Sequence, residues 1–366
     1  MNQHKKSFQH SSRVHSQSSS RQRTLNEVTG QGRPEQKSFE KDLVEAFLAE
    51  GIPLHKLESG PLRKVFDKYC SYKVPSVSTL RRVVPDLCDE HLKKAKEDIG
   101  NSRIWISVDE ATDPVGRNIA NVVIGKLDGE VAGSGHLVHV VELEKTNAST
   151  IVRAVQDALR ILWEGALGTE DRVLFLVMDS VAYMHKAGKT LAVLYPKMIH
   201  TTCLAHGLHR VAETIREEFP LVNKIISAGK KIFLKTPKRV EVFKEILPGV
   251  PLPPEPVLTR WGTWLNAAFY YNKHLEGSKK VVEMLGEDAA SITKVKSILQ
   301  EPALGSQLFF LASHFTKIPS TIETLQRSDI AVSTSVHEFK TVLHEAEKWP
   351  EKHEKKIKEN FMLYSK

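Results

Sequence analysis

Length, composition and charge already exclude some classes of protein. The chain has 366 residues, of which 41% are hydrophobic and 26% charged, as in globular proteins with room for two or three folding units. No apolar run approaches the roughly 18 residues that a membrane helix needs, and three cysteines are too few for a disulfide framework. The N-terminal segment lacks the apolar stretch of a secretory signal, so we expect a chain that is not exported and lies in a reducing compartment.

The net charge of +8 is unevenly distributed. Residues 1–40 hold seven Lys or Arg against three Glu, and the Ser- and Gln-rich composition of residues 1–37 predicts a disordered basic tail. A second run, from Phe219 to Val240, contains no acid, and its basic residues are Lys224, Lys230, Lys231, Lys235, Lys238 and Arg239. At helical spacing three of these lysines share a face. Such a stripe attracts phosphate through counterion release; the alternative is a solvated helix face.

Three short helices are predicted between residues 38 and 100. The predicted helix starts are Ser38, Pro61 and Ser78, from capping residues and a first-turn proline. The predicted ends are Gly51 and Gly100, with a break at Pro85. These residues form a helical module.

Residues 101–220 show a different pattern. The segments "RIWISVDE", "NIANVVIGKL" and "GHLVHVVEL" read as three consecutive strands. They are followed by a helix at 150–162, the apolar strand "VLFLVMD", a helix at 182–194, the strand "MIHTTC" and a helix at 204–218. The order βββαβαβα predicts an α/β layer with a mixed sheet. Residues 221–366 read almost entirely as helix.

Two of the predicted strands end in carboxylates, Asp109 after "RIWISV" and Asp179 after "VLFLVM". If the strands are neighbours, the two side chains can converge. Paired carboxylates repel each other unless a divalent cation lies between them, and two-metal sites use such pairs for phosphoryl transfer. A strand-end Asp is also a common turn former or helix cap, so both interpretations stay open.

The motifs "VDEAT", "VMDSVAYM", "CLAHGLHR" and "TRWGTWL", in this order, resemble those of the hAT superfamily of DNA transposases. The resemblance implies a ribonuclease-H-like fold for the sheet region. It also implies a first catalytic Asp in a D-x-x-T pattern, matched by Asp109 and Thr112. The second catalytic Asp would be Asp179, followed by Tyr183 and Met184.

The same resemblance assigns two further motifs. Cys203 and His206 match the family's C-x-x-H, for which we favour packing between the fifth strand and its helix over zinc binding. Arg260 and Trp261 match an R-W pair that opens a helical insertion domain, where the family's Trp lies near a distorted DNA base. For Trp261 and Trp264 we favour core packing over base stacking.

The helical module carries a second resemblance. The segment "GIPLHKLESGPLRKVFDKYCSYKVPSVSTLRR" is similar to the region after the zinc finger in the CGG-triplet-repeat-binding protein, itself a hAT derivative. The finger is missing here, because no C-x₂-C followed by histidines occurs in the sequence.

The family's third catalytic acid, a Glu in an E-R-x-F-S pattern, has no match in this sequence. Glu213 and Glu217 follow the fifth strand, where simpler members of the fold place their last acid. We therefore expect a domesticated or decayed transposase that binds DNA phosphates in the nucleus, in transcription or chromatin, and does not catalyse a reaction. Mg²⁺ could bind only loosely at Asp109 and Asp179. The alternatives are an Mg²⁺-dependent nuclease fragment and a self-associating interaction scaffold with an apolar patch on residues 260–330.

Overall fold

The computed structural model describes residues 34–127, 135–166, 168–234, 236–256, 262–286, 289–327, 329–349 and 357. The predicted tail therefore lies outside the described residues up to position 33. The chain divides into two compact units, Met1–Lys94 and Ala95–Lys366.

The first unit is a small helical module. Its helices are α1 (Pro34–Ala49), α2 (Pro61–Tyr69), α3 (Val77–Arg81) and α4 (Val83–Ile99), with a 3₁₀ turn at Leu54–Leu57. The last helix continues past the division between the units. The core of the module is formed by apolar side chains of α1, the 3₁₀ turn, the segment before α3, α3 itself and α4. They are Leu43, Val44, Phe47, Leu57, Val74, Leu80 and Leu87.

Two helix starts in this module differ from the prediction. The first helix begins at Pro34 rather than Ser38, because the fixed φ of proline suits the first helical position. The third helix is capped by Ser76, whose hydroxyl accepts the backbone N–H of Thr79 at 3.2 Å, and not by Ser78. Serine capping itself was anticipated, but the position was not.

The break expected at Pro85 also lies elsewhere. The chain turns at Arg82, between α3 and α4, and Pro85 lies inside the first turn of α4. Proline is tolerated there because its missing N–H would have no intrahelical acceptor. The predicted end at Gly100 agrees with the structure, since α4 ends at Ile99 and Gly100 has φ of 46°.

The second unit contains a five-stranded mixed sheet. Its strands are β1 (Ile104–Thr112), β2 (Asn118–Lys126), β3 (His136–Leu143), β4 (Val173–Met178) and β5 (Ile199–Thr202). They lie in the order β3-β2-β1-β4-β5, with β1 antiparallel to β2 and parallel to β4. The intervening helices are α5 (Ala148–Trp163), α6 (Ala182–Leu194) and α7 (Leu204–Glu218). The predicted mixed α/β fold is confirmed and is consistent with a ribonuclease-H-like core.

Alternation along the central strand β1 builds part of the buried face of the sheet. Ile104, Ile106 and Val108 of β1 are buried, and the residues between them are only partly buried. The helix α5 begins with a capping box, in which Asn147 and Thr150 satisfy each other's backbone N–H groups.

Residues after α7 are mostly helical, as predicted. The helices are α8 (Pro220–Gly229), α9 (Pro237–Ile246), α10 (Thr263–Met284), α11 (Ala290–Leu299), α12 (Pro302–His314), α13 (Lys317–Leu325) and α14 (Val332–Glu347). They share one hydrophobic core with α7, whose Leu208 and Ile215 pack in the same cluster as Ile225 and Leu265. In the part of the chain that the structure describes, no helix is both long and apolar enough to cross a membrane.

Candidate functional site

The two aspartates lie on neighbouring parallel strands. Ile106 pairs with Leu176 and Ser107 with Val177. Asp109 lies two residues after Ser107 and Asp179 two residues after Val177, so the two aspartates occupy corresponding positions on the neighbouring strands. Their carboxyl groups are close enough that the charge of Asp179 raises the pKa of Asp109. The expected adjacency of the two strands is confirmed, whereas the catalytic and metal-binding roles of the aspartates stay predictions.

The sequence pattern suggested that the strand carrying Asp109 ends in acids, but the strand continues beyond them. β1 continues to Thr112, and Asp109 pairs with Asn121 of β2. Only the parallel pairing with β4 stops earlier, because β4 ends at Met178. Asp109 therefore lies at the carboxyl edge of the parallel part of the sheet, where ligands bind in open α/β sheets.

The helix after β5 brings two basic side chains to these aspartates. Arg210 Nη2 lies 2.8 Å from Asp179 Oδ2, and His206 Nε2 lies 3.5 Å from Asp109 Oδ1. Four residues separate His206 from Arg210, so both side chains project from one face of α7. The helix start is held beside the site by a hydrogen bond of 2.8 Å from the N–H of Cys203 to the carbonyl of Met178.

The Asp179 carboxylate is held on both oxygens. Oδ1 accepts the backbone N–H of Ser180 at 2.6 Å, and Oδ2 accepts from Arg210. Burial raises the pKa of Asp179, but the hydrogen bonds from Arg210 and Ser180 outweigh it and hold the pKa below its usual value. The charged carboxylate is therefore the stable form at neutral pH.

Asp109 has the opposite balance. Its side chain is 57% exposed, yet the surrounding atoms still withhold enough water to raise its pKa, and the charges of Asp179 and Glu110 add to this. Attraction to His206 and the backbone N–H of Glu110 lower the pKa but do not outweigh the desolvation. The two aspartates thus titrate in different ranges.

Glu110 projects to the opposite face of the strand from Asp109. Its carboxylate accepts the Thr146 hydroxyl at 2.7 Å and the Tyr183 hydroxyl at 2.8 Å. Burial, and then this carboxylate, raise the pKa of Tyr183. Through the bond to Tyr183, Glu110 joins the motif "VDEAT" to the motif "VMDSVAYM".

The turn after β1 is shaped by Asp113. Its carboxylate accepts the backbone N–H groups of Val115 at 3.0 Å and Arg117 at 2.9 Å. The Arg117 side chain also donates to it at 2.7 Å. Asp113 therefore lies in a turn network and takes no part in the site.

Cys203 is half-buried between β5 and α7, and burial raises the pKa of its thiol. A zinc ligand would have to be the thiolate, which this environment disfavours. Within the described residues, no three His, Cys, Asp or Glu side chains are grouped so that they could hold a metal ion. The position agrees with a packing role for Cys203, while His206 turns toward Asp109.

The resemblance to hAT transposases implies Mg²⁺ at the aspartates, and the donor atoms can be tested for fit. A two-metal site needs carboxylate oxygens that are open to the ions. Both oxygens of Asp179 already accept hydrogen bonds, and the positions facing the pair are taken by the side chains of Arg210 and His206. Glu213 and Glu217 lie on exposed positions of α7. In this arrangement the residues do not fit a two-metal site.

The predicted basic stripe is not one helical face. The helix α8 ends at Gly229, and a 3₁₀ turn and the helix α9 follow. Lys235 lies outside the described residues. The described members of the stripe are Lys224 in α8, Lys230 and Lys231 in the turn, and Lys238 and Arg239 in α9.

Exposure separates these basic residues into two groups. Lys224, Lys231 and Lys238 are exposed, while Lys230 and Arg239 are half-buried. The Arg239 guanidinium donates to the carbonyl of Ile232 at 3.0 Å. Among the residues that the structure describes, none of the four lysines pairs with an acid, so their charge is available to a ligand in solution.

Arg260 and Trp261, assigned from the R-W motif, lie outside the described residues. Trp264 is described and is only 7% exposed. Its indole N–H donates to Asn223 Oδ1 at 3.1 Å, and the same oxygen accepts from Arg216 Nε at 3.0 Å. Core packing of Trp264 is confirmed.

The residues that sequence reasoning missed are Arg210 and the contacts of Glu110. A signal for Arg210 was present in "CLAHGLHR", where Cys203, His206 and Arg210 have the i, i+3, i+7 spacing of one helix face. The spacing alone does not show that Arg210 contacts Asp179, because that also depends on the direction in which α7 crosses the sheet.

Comparison with curated proteins finds no match. A protein-family model, the domain of unknown function DUF659, matches residues 73–232. The matched segment contains all five strands, both aspartates, Arg210 and His206. The middle part of the chain is thus similar to a domain associated with hAT-like transposase-related proteins.

Proposed function

We propose that this chain is a nuclear DNA-binding protein derived from a hAT-type transposase, which contacts DNA mainly through its phosphates and does not cut it. The observation that carries the proposal is the occupation of the two aspartates by basic groups of α7. Arg210 lies 2.8 Å from Asp179, and His206 lies 3.5 Å from Asp109. The Arg210 guanidinium offsets the charge of the Asp179 carboxylate without supplying the Lewis acid that phosphoryl transfer needs.

Binding to DNA is supported by the exposed lysines after the sheet. Lys224, Lys231 and Lys238 lie in a segment of the chain without acids between Phe219 and Val240. Lysines that contact phosphates release condensed counterions, and affinity then falls steeply with salt. Contacts of this kind fix a protein on DNA without reading its sequence.

The test is the affinity of the full chain for a labelled duplex over a salt series. Each phosphate contact contributes about 0.9 to the slope of log K against log salt. The triple variant Lys224→Gln, Lys231→Gln, Lys238→Gln should bind more weakly at low salt, with a slope shallower by about 2 to 3. The triple variant Lys189→Gln, Lys280→Gln, Lys340→Gln makes the same charge change at exposed positions elsewhere and should match the wild type. Undetectable binding of the wild type at low salt would remove the proposal.

An Mg²⁺-dependent nuclease is the second candidate, and one observation favours it. The parallel register of β1 and β4 brings Asp109 and Asp179 together at the carboxyl edge of the sheet. This candidate requires Arg210 to leave Asp179 when the metal binds. It predicts DNA cleavage that Asp179→Asn abolishes.

The scaffold alternative predicts a continuous apolar patch on residues 260–330. Across the described residues of that range, the large apolar side chains with high exposure are Met284 and Phe309, on α10 and α12. Two side chains on different helices do not form such a patch.

A further inference from the structure

We propose that the helical module carries a binding surface for single-stranded nucleic acid, formed by α2, the loop after it and α3. The inference rests on the proposed function for the nature of the partner. It assigns that partner's unpaired bases to residues 61–82, a surface that the phosphate contacts of Lys224, Lys231 and Lys238 do not involve.

Residues 61–82 are strongly basic. They contain one acid, Asp67, which pairs with Arg63 at 3.1 Å. The other basic residues are all exposed, and they are Lys64, Lys68, Lys73, Arg81 and Arg82. Within the described residues none of these five pairs with an acid. A polyanion is therefore the ligand that this surface attracts.

Two exposed tyrosines lie among these cations. The side chains of Tyr69 and Tyr72 are 73% and 41% exposed. The Lys68 ammonium lies 4.8 Å from the centre of the Tyr69 ring, and Phe39 stacks on Tyr72 with 5.3 Å between ring centres and 23° between planes. Each ring is thus supported by a neighbour while much of its surface remains open to solvent.

The exposed side of α2 is also apolar. Leu62, Val65 and Tyr69 follow the i, i+3, i+7 spacing of one helix face, and all three are exposed. No residue of α2 is fully buried. A helix face that is apolar, aromatic and flanked by lysines fits a ligand with flat apolar faces and a charged backbone.

Unpaired bases fit these properties better than duplex DNA does. In a duplex the base faces are stacked on each other and cannot reach a tyrosine ring, whereas a single strand presents them freely. Stacking on aromatic side chains is tolerant of sequence, because every base has a π-face.

Residues that follow the tyrosines in the chain line a groove with space for the backbone of such a strand. It has a volume of about 970 Å³, and its lining includes Lys73, Ser76, Ser78 and Arg81 together with Glu40 and Glu58. The loop residue Lys73 immediately follows Tyr72, so the groove and the aromatic surface are continuous along the chain.

The experiment measures the affinity of the full chain for a labelled thymidine oligonucleotide of about 12 nucleotides, a typical single-strand site size, and for a duplex. Tyr69→Leu keeps an apolar side chain at an exposed position but removes the ring. It should lower affinity for the oligonucleotide by about tenfold or more, and Tyr69→Leu combined with Tyr72→Leu by about a hundredfold. Duplex affinity should change less than about twofold, since phosphate contacts remain.

Tyr69→Phe is the matched control, because it keeps the stacking ring and should retain single-strand affinity. Unchanged affinity of Tyr69→Leu for the oligonucleotide, with duplex binding intact, would overturn the single-strand surface and leave the proposed function standing. Wild-type binding to neither nucleic acid would overturn both. Equal affinity of the wild type for polyglutamate and for the oligonucleotide would also overturn the single-strand surface, because the surface would then select charge alone.

Discussion

At the scale of single residues, Arg210 and His206 decide how the two aspartates behave. The Arg210 guanidinium holds the pKa of Asp179 low, while desolvation raises the pKa of Asp109 despite the nearby imidazole. A divalent cation would have to compete with both basic groups for the same oxygens. The difference between the pKa values of the two aspartates therefore comes from their neighbours and not from the aspartates themselves.

Removal of Arg210 should therefore open the site to divalent cations. Arg210→Ala leaves Asp179 without its charged partner, and we expect Mn²⁺ affinity to rise by roughly tenfold, the effect of one pKa unit of lost opposite charge. Electron paramagnetic resonance of free Mn²⁺ measures this directly. Arg216→Ala removes the same charge from α7, and among the described residues its guanidinium bonds to Asn223 rather than to an aspartate of the site, so its Mn²⁺ affinity should equal that of the wild type. Equal Mn²⁺ affinity in Arg210→Ala and wild type would show that Arg210 does not exclude the metal.

Two partly buried histidines should make the free energy of unfolding depend on pH. Burial lowers the pKa of His200 and of His209, so the unfolded chain binds protons near pH 6.5 that the folded chain does not. The contribution of these histidines to stability is therefore fully present above about pH 6.5 and is lost as the pH falls below it. Urea midpoints at about pH 7.5 and 5.5 should show this loss.

In the variant His200→Gln the unfolded chain cannot take up a proton at position 200. Its urea midpoint should therefore fall less than that of the wild type between about pH 7.5 and 5.5. His337→Gln, at an exposed position of α14, should behave as the wild type does. A midpoint that rises on acidification would contradict the assignment.

At the scale of helices and strands, two glycines in helices make a matched comparison. A Cβ on Gly188 of α6 would lie 2.5 Å from the His200 ring of β5, whereas a Cβ on Gly305 of α12 would meet only Leu275, at 3.5 Å. The close approach at Gly188 lets α6 pack on the edge strand of the sheet.

Alanine at the two positions should therefore have opposite effects. Gly305→Ala should stabilise the chain by about 0.5–1 kcal/mol through helix propensity. Gly188→Ala should destabilise it by about 1–3 kcal/mol, because overpacking against His200 outweighs that gain. Urea unfolding of both variants measures the two free energies. Stabilisation by Gly188→Ala would mean that the helix and strand are not packed as closely as described.

The sequence predicted some elements closely and others poorly. The periodicity of residues 182–194 and 204–218 matched α6 and α7 at both ends, because those helices have clear apolar faces. The end of β1 was placed too early, since Thr112 extends the strand only by pairing with Asn118 of β2. A pairing partner distant along the chain leaves no mark in the local pattern.

At the scale of the whole molecule, the meeting of Asp109 and Asp179 could be predicted from topology. The three antiparallel strands lead through α5 into β4, which lies beside β1 and runs parallel to it, and the carboxyl ends of such strands share one edge. The basic partners could not be predicted in this way. The contact between Arg210 and Asp179 depends on the path of α7 after β5, which tertiary packing against the C-terminal helices determines.

The chain is proposed to bind DNA without cutting it. The most direct measurement incubates end-labelled duplex with saturating protein at low salt, with Mg²⁺ or Mn²⁺, and resolves the strands on a denaturing gel. On this proposal the wild type should give bound but full-length DNA, with no difference from Asp179→Asn. Strand cleavage by the wild type that Asp179→Asn abolishes would contradict it.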